Sequence, residues 1–335
     1  MPPLIQIGIH PNQFPDQVRQ DLIHSLRSRN IDPRFHYDSI KQTQKWLALH
    51  QAYSPSRNNP DCAAIYEHGF QSAAGQIDSN TVHLIGLGSG GGQKDSHFLN
   101  LLRNSGRRVF YSPIDISSAM VVVAAQEAAR FVPLQNIFPI VCNLATAHDL
   151  VSILNPHAPA DASRVFTFFG MIPNFEPGQI LPRLASLVAE NDQLLFSANL
   201  APGPDYVAGI RKVLTLYDND LTRDWLMTFL VDLGISSNDG ELCFIIEQDA
   251  ADPELSRIAA CFRFIHKTQI QLGSDSFIFD RDETIRLFFS YRYTPELLRR
   301  VLHAHGLAVH SQWITKSEEE GVFLVKKLPG CAAQP

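Results

Sequence analysis

Short apolar runs alternate with amphipathic stretches through the middle of the chain. The runs have the length of buried strands, and the stretches between them carry apolar side chains at helical spacing. Short links between such elements are typical of a parallel, doubly wound sheet in an α/β protein. The pattern predicts strands near 82–87, 108–114, 137–142, 164–169 and 193–198, and helices near 93–104, 117–131, 145–154 and 177–190.

The flanking parts of the chain have a less regular pattern. The stretch before the sheet predicts helices near 15–29, 41–49 and 62–72. The stretch after it predicts helices up to about residue 216 and over 221–233, then strands near 243–247, 258–265, 277–279 and 285–290. Thr294-Pro295 is a helix start signal, and strands near 307–314 and 321–325 follow that helix.

The first predicted strand ends in a glycine cluster. Five of the seven residues from Gly86 to Gly92 are glycine. Glycine lets the backbone approach a ligand closely, and the amide groups at the start of the next helix are available to bind it. Strand, glycine turn and helix together favour a nucleotide-like cofactor over a loop without a ligand.

The glycine pattern leaves two cofactors open. Gly86, Gly88 and Gly91 fit G-x-G-x-x-G, which allows a dinucleotide. Asp115 ends the second strand, where it can accept hydrogen bonds from the ribose hydroxyls of either NAD or S-adenosylmethionine. The alternative for Asp115 is a cap of the following helix. Asn143 ends the third strand, as an adenine contact or as a turn former, and Asn174 follows the fourth strand at the mouth of the cleft.

Composition excludes several classes of protein. The 335-residue chain has a net charge of −6 and no run of Lys or Arg, so neither nucleic acid nor an anionic membrane is an expected partner. We expect no secretory signal, membrane span or zinc site. The five cysteines are scattered and odd in number, which favours a reducing compartment such as the cytoplasm.

Several short motifs, taken in order, resemble one family. They are Leu87-Gly-Ser-Gly90 with Lys94, Tyr111-Ser-Pro-Ile-Asp115, Phe168-Phe-Gly-Met-Ile-Pro-Asn174, and Leu216-Tyr217-Asp218. Phe35-His-Tyr37-Asp38, Tyr53-Ser-Pro-Ser-Arg57 and Ser290 also fit. The chain resembles the histidine-specific, S-adenosylmethionine-dependent α-N-methyltransferases of ergothioneine biosynthesis and their dimethylallyltryptophan relatives, from about residue 20 to 327.

The resemblance implies an architecture and a set of roles. A Rossmann-like class I methyltransferase domain over 76–200, to which 291–330 returns, binds S-adenosylmethionine and releases S-adenosylhomocysteine. A smaller α+β domain, built from 1–75 and 201–290, receives a small-molecule substrate. The implied cofactor-binding residues are Gly88, Ser89, Gly90, Lys94, Asp115, Asn143 and Leu144, and the implied substrate-binding residues are Tyr37, Tyr53, Asn174, Tyr217, Phe288 and Ser290.

This sequence departs from the family pattern where specificity is set. Phe288 stands where the histidine enzyme has a glutamate that faces the imidazole. The stretch from Arg257 to Ala260 replaces a family stretch that ends in glutamate and methionine. A carboxylate pairs with imidazole N–H groups, whereas a phenyl ring does not. We therefore expect an amino acid, or its derivative, with an aromatic or apolar side chain. Asn143 replaces an aspartate, and Pro173 replaces a glycine before Asn174.

Methyl transfer from a sulfonium is an in-line displacement that depends mainly on orientation. The acceptor amine must be neutral, and Tyr37 or Tyr53 is expected to relay its proton to water. Two alternatives stay open: transfer to another atom of a larger natural product, and a ligand-binding relative without turnover. We expect a monomer or a weak dimer.

Overall fold

The structure is a computed structural model that describes residues 4–53 and 59–330. These residues form two compact units. The first unit holds 4–13, 59–200 and 293–330, and the second holds 14–53 and 201–292. Of the motifs above, the part from Ser54 to Arg57 lies outside the described residues.

A mostly parallel sheet forms the centre of the first unit. Among the described residues it has eight strands, in the order β1-β4-β3-β2-β5-β6-β13-β12. The strands through β6 run parallel, and β13 and β12 add an antiparallel hairpin. Their bounds are β1 Gly8–Ile9, β2 Thr81–Leu87, β3 Arg108–Asp115, β4 Ile140–Val141, β5 Ser163–Phe169, β6 Gln193–Asn199, β12 Leu307–Ile314 and β13 Glu320–Lys327.

Strand β2 is the point at which the strand order reverses. It pairs with β3 on one side and β5 on the other, and its residues from Val82 to Leu87 are buried. Ligands of open α/β sheets bind beside such a strand, at its carboxyl end. The helices of this unit are α3 Pro60–Gly75, α4 Gln93–Asn104, α5 Ser118–Ala128, α6 Leu150–Leu154, α7 Pro177–Leu187 and α10 Pro295–Ala304.

The second unit is α+β. Strands β11, β8 and β7 form an antiparallel sheet, and β9 and β10 form a hairpin. The helices from both chain segments share one core, in which Leu26 and Phe35 pack with Trp225 and Phe262. The bounds are α1 Pro15–Ser28, α2 Ile40–Tyr53, α8 Tyr206–Leu214, α9 Asp220–Asp232, β7 Gly240–Gln248, β8 Ser256–Phe264, β9 Thr268–Leu272, β10 Asp275–Phe279 and β11 Thr284–Arg292.

The predicted α/β class and parallel sheet are confirmed, but residues 1–75 are divided differently. We expected all of them in the smaller domain, whereas the structure places 4–13 and α3 in the first unit. Gly8 and His10 donate backbone hydrogen bonds to Pro139 and Val141 at the sheet edge. Helix α3 packs on the sheet through apolar residues such as Phe70.

Several element bounds also differ from prediction. The strand expected at 137–142 is reduced to Ile140–Val141, because Pro139 has no amide proton for the ladder. The helix expected at 145–154 covers only Leu150–Leu154, and those expected to reach residues 131 and 190 end at Ala128 and Leu187. Strands β1 and β9 were not predicted. No helix within 4–53 and 59–330 is long and apolar enough to cross a bilayer.

Candidate functional site

The turn after β2 requires glycine. Gly88, Gly90 and Gly92 have positive φ angles of 63°, 51° and 72°. A Cβ atom on Gly88 would lie 2.7 Å from the Cγ atom of Met171, and one on Gly92 would lie 2.7 Å from the Cα atom of Ala124. The turn is therefore closely packed against its neighbours, and a larger side chain would change its shape.

Asp115, at the end of β3, holds this turn from the side. Its Oδ2 atom accepts a hydrogen bond from the Gly90 amide at 2.9 Å, and its Oδ1 atom accepts one from the Ser117 amide at 3.0 Å. Burial raises the pKa of the carboxyl group, against the opposing effect of these amides. The helix cap is Ser117, not Asp115. A carboxylate oxygen accepts more than one hydrogen bond, so Asp115 fits a ribose diol.

A second buried carboxyl group lies beneath the turn. Asp95 accepts hydrogen bonds from the hydroxyls of Tyr111 and Thr167, each at 2.7 Å. Burial raises its pKa to about 6, although both hydroxyls favour the charged form. Sequence reasoning did not find Asp95, because its partners lie on β3 and β5.

Lys94 belongs to a polar cluster inside the first unit. Its Nζ atom donates to the Tyr66 hydroxyl at 2.6 Å and lies 3.9 Å from the carboxylate of Glu320. Tyr66 in turn hydrogen-bonds to Glu320 and Ser197, and the Cys62 thiol donates to Glu320 at 3.1 Å. Burial raises the pKa of Tyr66 and of Cys62. The sequence pointed only to Lys94 in this cluster.

Asn143 follows β4 as a turn former. Its Oδ1 atom accepts a hydrogen bond from the Ala145 amide at 3.0 Å. Its backbone is held by the side chain of Asn12, which donates to the Asn143 carbonyl at 2.9 Å and accepts from the Asn143 amide at 3.2 Å. Its neighbour Leu144 is buried. The side-chain oxygen keeps a second lone pair, so the adenine role stays a prediction.

The remaining predicted residue of the first unit, Asn174, follows β5. It ends a 3-10 helix, Ile172–Asn174, and its amide donates to the Met171 carbonyl at 2.9 Å. Pro173 is accommodated inside this short helix, so the proline fixes a turn rather than breaking one. With Asn174, the first unit carries its predicted residues after β2, β3, β4 and β5, where parallel strands present their carboxyl ends to one edge.

In the second unit, the predicted residues lie among aromatic rings. Tyr37 is half-buried, and its ring centroid lies 5.5 Å from that of Trp225 and 6.0 Å from that of Trp46. Phe288 contacts Trp225 at 5.6 Å and Tyr217 at 6.5 Å between centroids. Tyr53 is different, since it is the exposed last residue of α2.

Phe288 is paired directly with Ala260 across strands β11 and β8. The two departures from the family pattern are thus neighbours on one face of the sheet, where Cβ atoms of paired residues lie about 5 Å apart. Ser290 follows on the same face, and its Oγ atom accepts a hydrogen bond from the Tyr217 hydroxyl at 2.9 Å. This face combines a wall of apolar side chains with a small polar group.

The fold and the residues at its sheet edge define a class I S-adenosylmethionine-dependent methyltransferase. The chain belongs to the histidine-specific, S-adenosylmethionine-dependent methyltransferase family, whose profile matches residues 18–327. This assignment confirms the predicted family and decides between the two cofactors in favour of S-adenosylmethionine.

One relative matches almost the whole chain. Histidine N-alpha-methyltransferase from Mycobacterium tuberculosis (strain CDC 1551 / Oshkosh) is 23% identical over 325 residues, which cover 92% of this chain and 95% of that protein. This relative is similar in sequence, and its identity level is that of a divergent family member.

Solved methyltransferase structures give weaker similarities. Magnesium protoporphyrin IX methyltransferase from Synechocystis PCC 6803 matches with a TM-score of 0.45 and 12% identity, covering 88% of this chain and 97% of that one. The 1,6-didemethyltoxoflavin-N1-methyltransferase of Burkholderia thailandensis matches with a TM-score of 0.41 and 12% identity, covering 85% and 90%. Likenesses of this strength say nothing about the substrate.

Proposed function

We propose that this methyltransferase acts on the α-amino nitrogen of an amino acid, or of its derivative, with an aromatic or apolar side chain. The observation that carries this proposal is the Phe288–Ala260 pair, which joins Trp225 and Tyr217 in an apolar wall. Neither member of the pair offers an acceptor for an imidazole N–H group. An aromatic ring packed against this wall would gain offset or edge-to-face contacts.

We assign the contacts with S-adenosylmethionine to groups of the first unit. The backbone from Gly88 to Gly90 permits close approach of the cofactor, and Asp115 would accept the ribose hydroxyls. Lys94 would neutralise the carboxylate of the methionine portion, and Asn143 with Leu144 would contact the adenine. When bound, the cofactor supplies an electrophilic methyl group on a cationic sulfur.

The second unit would hold the acceptor and free its nitrogen for attack. An ammonium has no lone pair, so the amine must lose a proton first, and a neighbouring positive charge favours that loss. We assign Tyr37 or Tyr53 to pass this proton to water. Tyr37 is fixed by two tryptophan rings and Tyr53 is exposed, so Tyr37 is the better oriented of the two.

The test is an initial-rate assay with methyl-labelled S-adenosylmethionine and a panel of L-histidine, L-phenylalanine, L-tyrosine, L-tryptophan and L-leucine. We expect the aromatic and apolar acceptors to exceed histidine, with the label on the α-nitrogen by mass spectrometry. A Phe288→Glu variant should move the preference towards histidine. Histidine far ahead of all others in the wild type would contradict the assigned specificity, and label on another atom would contradict the assigned nitrogen.

A further inference from the structure

A buried arginine lies on the same face of β11 as Phe288 and Ser290. Arg292 ends β11, two residues after Ser290 and therefore on the same face of the strand, and only 5% of its surface is exposed. Its guanidinium donates a hydrogen bond to the Tyr217 hydroxyl and lies 5.1 Å from the centroid of the Tyr217 ring. The sequence motifs did not include it.

The chemistry of these groups fixes the direction of their hydrogen bonds. A guanidinium donates only, so the phenolic oxygen of Tyr217 must accept from Arg292. The single hydroxyl proton of Tyr217 is then directed elsewhere, and in the structure it is donated to Ser290 at 2.9 Å. Arg292 thus donates to Tyr217, and Tyr217 donates to Ser290. The first of these hydrogen bonds cannot reverse, because a guanidinium has no acceptor atom.

This direction decides which part of an amino acid Tyr217 can serve. A hydroxyl that donates to the amino nitrogen would occupy the lone pair that has to attack the methyl group. A hydroxyl that donates to a carboxylate makes a charge-assisted hydrogen bond and leaves the amine free. When the acceptor binds, its carboxylate is a stronger hydrogen-bond acceptor than the Ser290 hydroxyl and would take the Tyr217 proton in its place, so Tyr217 is suited to the carboxylate.

We propose that Arg292 is a positioning residue that holds the Tyr217 hydroxyl as a hydrogen-bond donor to the carboxylate of the acceptor. The inference rests on the proposed function, because it assigns a role within the same acceptor site. The backbone at this position is fixed independently, since Tyr206 donates to the Arg292 carbonyl at 2.7 Å and accepts from the Ser256 amide at 2.8 Å.

The experiment compares amino acids with the amines that lack only the carboxylate. The probes are L-tryptophan against tryptamine, L-phenylalanine against phenethylamine, and L-histidine against histamine. The wild type should prefer each acid. Arg292→Met should raise KM for the acids about tenfold to hundredfold, which is the range for a hydrogen bond to a charged group, with little change in kcat or in KM for the amines.

Two further variants test whether the arginine acts through the tyrosine. Tyr217→Phe should lose the same preference, and adding Arg292→Met to it should cost little more, because the two residues act as one unit. Arg292→Lys, which keeps a charged donor, should recover part of the preference. If Arg292→Met does not fold, Arg292→Leu, which also lacks a donor, replaces it with the same expected result.

The matched control is a second arginine–tyrosine pair in the same sheet. Arg257 donates to the Tyr291 hydroxyl at 2.9 Å. Tyr291 lies between Ser290 and Arg292 on β11 and is paired with Arg257 on β8, so this pair is on the opposite face of the sheet. Arg257→Met should leave the preference for acids unchanged. Affinity for S-adenosylhomocysteine, measured by calorimetry, should be the same in all these variants.

The outcomes separate the two proposals. A wild type that prefers the acids, with an Arg292→Met variant that prefers them equally, overturns this inference and leaves the proposed function standing. A wild type that neither binds nor methylates any probe overturns the proposed function, and this inference with it. Loss of S-adenosylhomocysteine binding in Arg292→Met would overturn the inference by showing a structural effect beyond the acceptor.

Discussion

The carboxylate of Asp95 lies against the backbone of Gly86, in the space where any other side chain would begin. A Cβ atom built on Gly86 would stand 2.1 Å from the Asp95 Oδ2 atom. Strand β2, which leads into the glycine turn, therefore accommodates the buried Asp95 carboxyl group only because residue 86 has no side chain. Residue 86 and residue 95 constrain each other, although only the glycine belongs to the recognisable pattern.

Gly86→Ala should therefore displace Asp95 from the hydroxyls of Tyr111 and Thr167. Leaving these buried groups unsatisfied should lower the free energy of unfolding by at least about 2 kcal/mol. Denaturant unfolding measures the loss. Gly75→Ala, at the end of α3, is the control: among residues 4–53 and 59–330 no other heavy atom lies within 4 Å of a Cβ built there, so the change should be neutral or slightly stabilising. Equal stability of the two variants would contradict the assigned packing.

Asp115→Asn should weaken cofactor binding at the turn. The amide group brings two donors to a place where the Gly90 and Ser117 amides already donate, so one of those hydrogen bonds is lost and a ribose hydroxyl loses its charged partner. We expect the Kd of S-adenosylhomocysteine to rise about tenfold or more by calorimetry. Asp78→Asn, an exposed change in the loop before β2, should bind as the wild type does.

Tyr66→Phe tests the cluster around Lys94. The change removes the hydroxyl that links the lysine, Ser197 and Glu320, and leaves the Glu320 carboxylate with the Cys62 thiol but without the stronger phenolic donor. Thermal unfolding should show a loss of about 1–3 kcal/mol. S-adenosylhomocysteine should also bind several-fold more weakly, because Lys94 loses its support. Combined with Lys94→Met, the effect on binding should be far from additive, and additivity would count against a shared role.

The fourth prediction concerns acid stability of the second unit. Burial lowers the pKa of His36 from 6.5 to about 4, and its Nε2 atom lies 2.7 Å from the Leu287 carbonyl. The unfolded histidine takes up a proton below pH 6.5, whereas the folded one stays neutral. The contribution of neutral His36 to the free energy of unfolding is complete above pH 6.5 and is lost as the pH falls through 4.

Between pH 7 and pH 5 this loss should reach about 2 kcal/mol. His36→Gln should remove that part of the pH dependence. Fluorescence of Trp225, whose indole nitrogen donates to the His36 carbonyl at 2.9 Å, reports the unfolding. The control is His97→Gln on the exposed face of α4, which should retain the slope of the wild type. An unchanged slope in His36→Gln would remove the histidine from the acid transition.

The local sequence pattern predicted those parts of the candidate site that depend on residues adjacent in the chain. The run from Val82 to Gly92 and the position of Asp115 follow from strand length, glycine content and the end of a strand. The Phe288–Ala260 pair could be named but not placed, since its register depends on an irregularity between Arg286 and Phe288. Such a shift leaves no mark in the hydrophobic pattern.

The polar clusters could not be predicted for a different reason. Tyr66 and Glu320 are 254 residues apart, and nothing local indicates that they meet. Arg292 is an exception, because its spacing of two residues from Ser290 places both on one strand face and would have been enough to single it out. The two-residue strand β1 is too short to show any periodicity in the sequence. Its pairing with β4 is what places Gly8–Ile9 in the first unit.

The division of the chain has a consequence for its synthesis. The core of the second unit needs Leu26 and Phe35 from the first part of the chain and Trp225 and Phe262 from a much later part. At ~5–20 residues per second, the ribosome would deliver the partners of α1 on the order of ten seconds or more after that helix emerges. During this interval the apolar residues of α1 lack their partners from the later segment and stay exposed on the nascent chain.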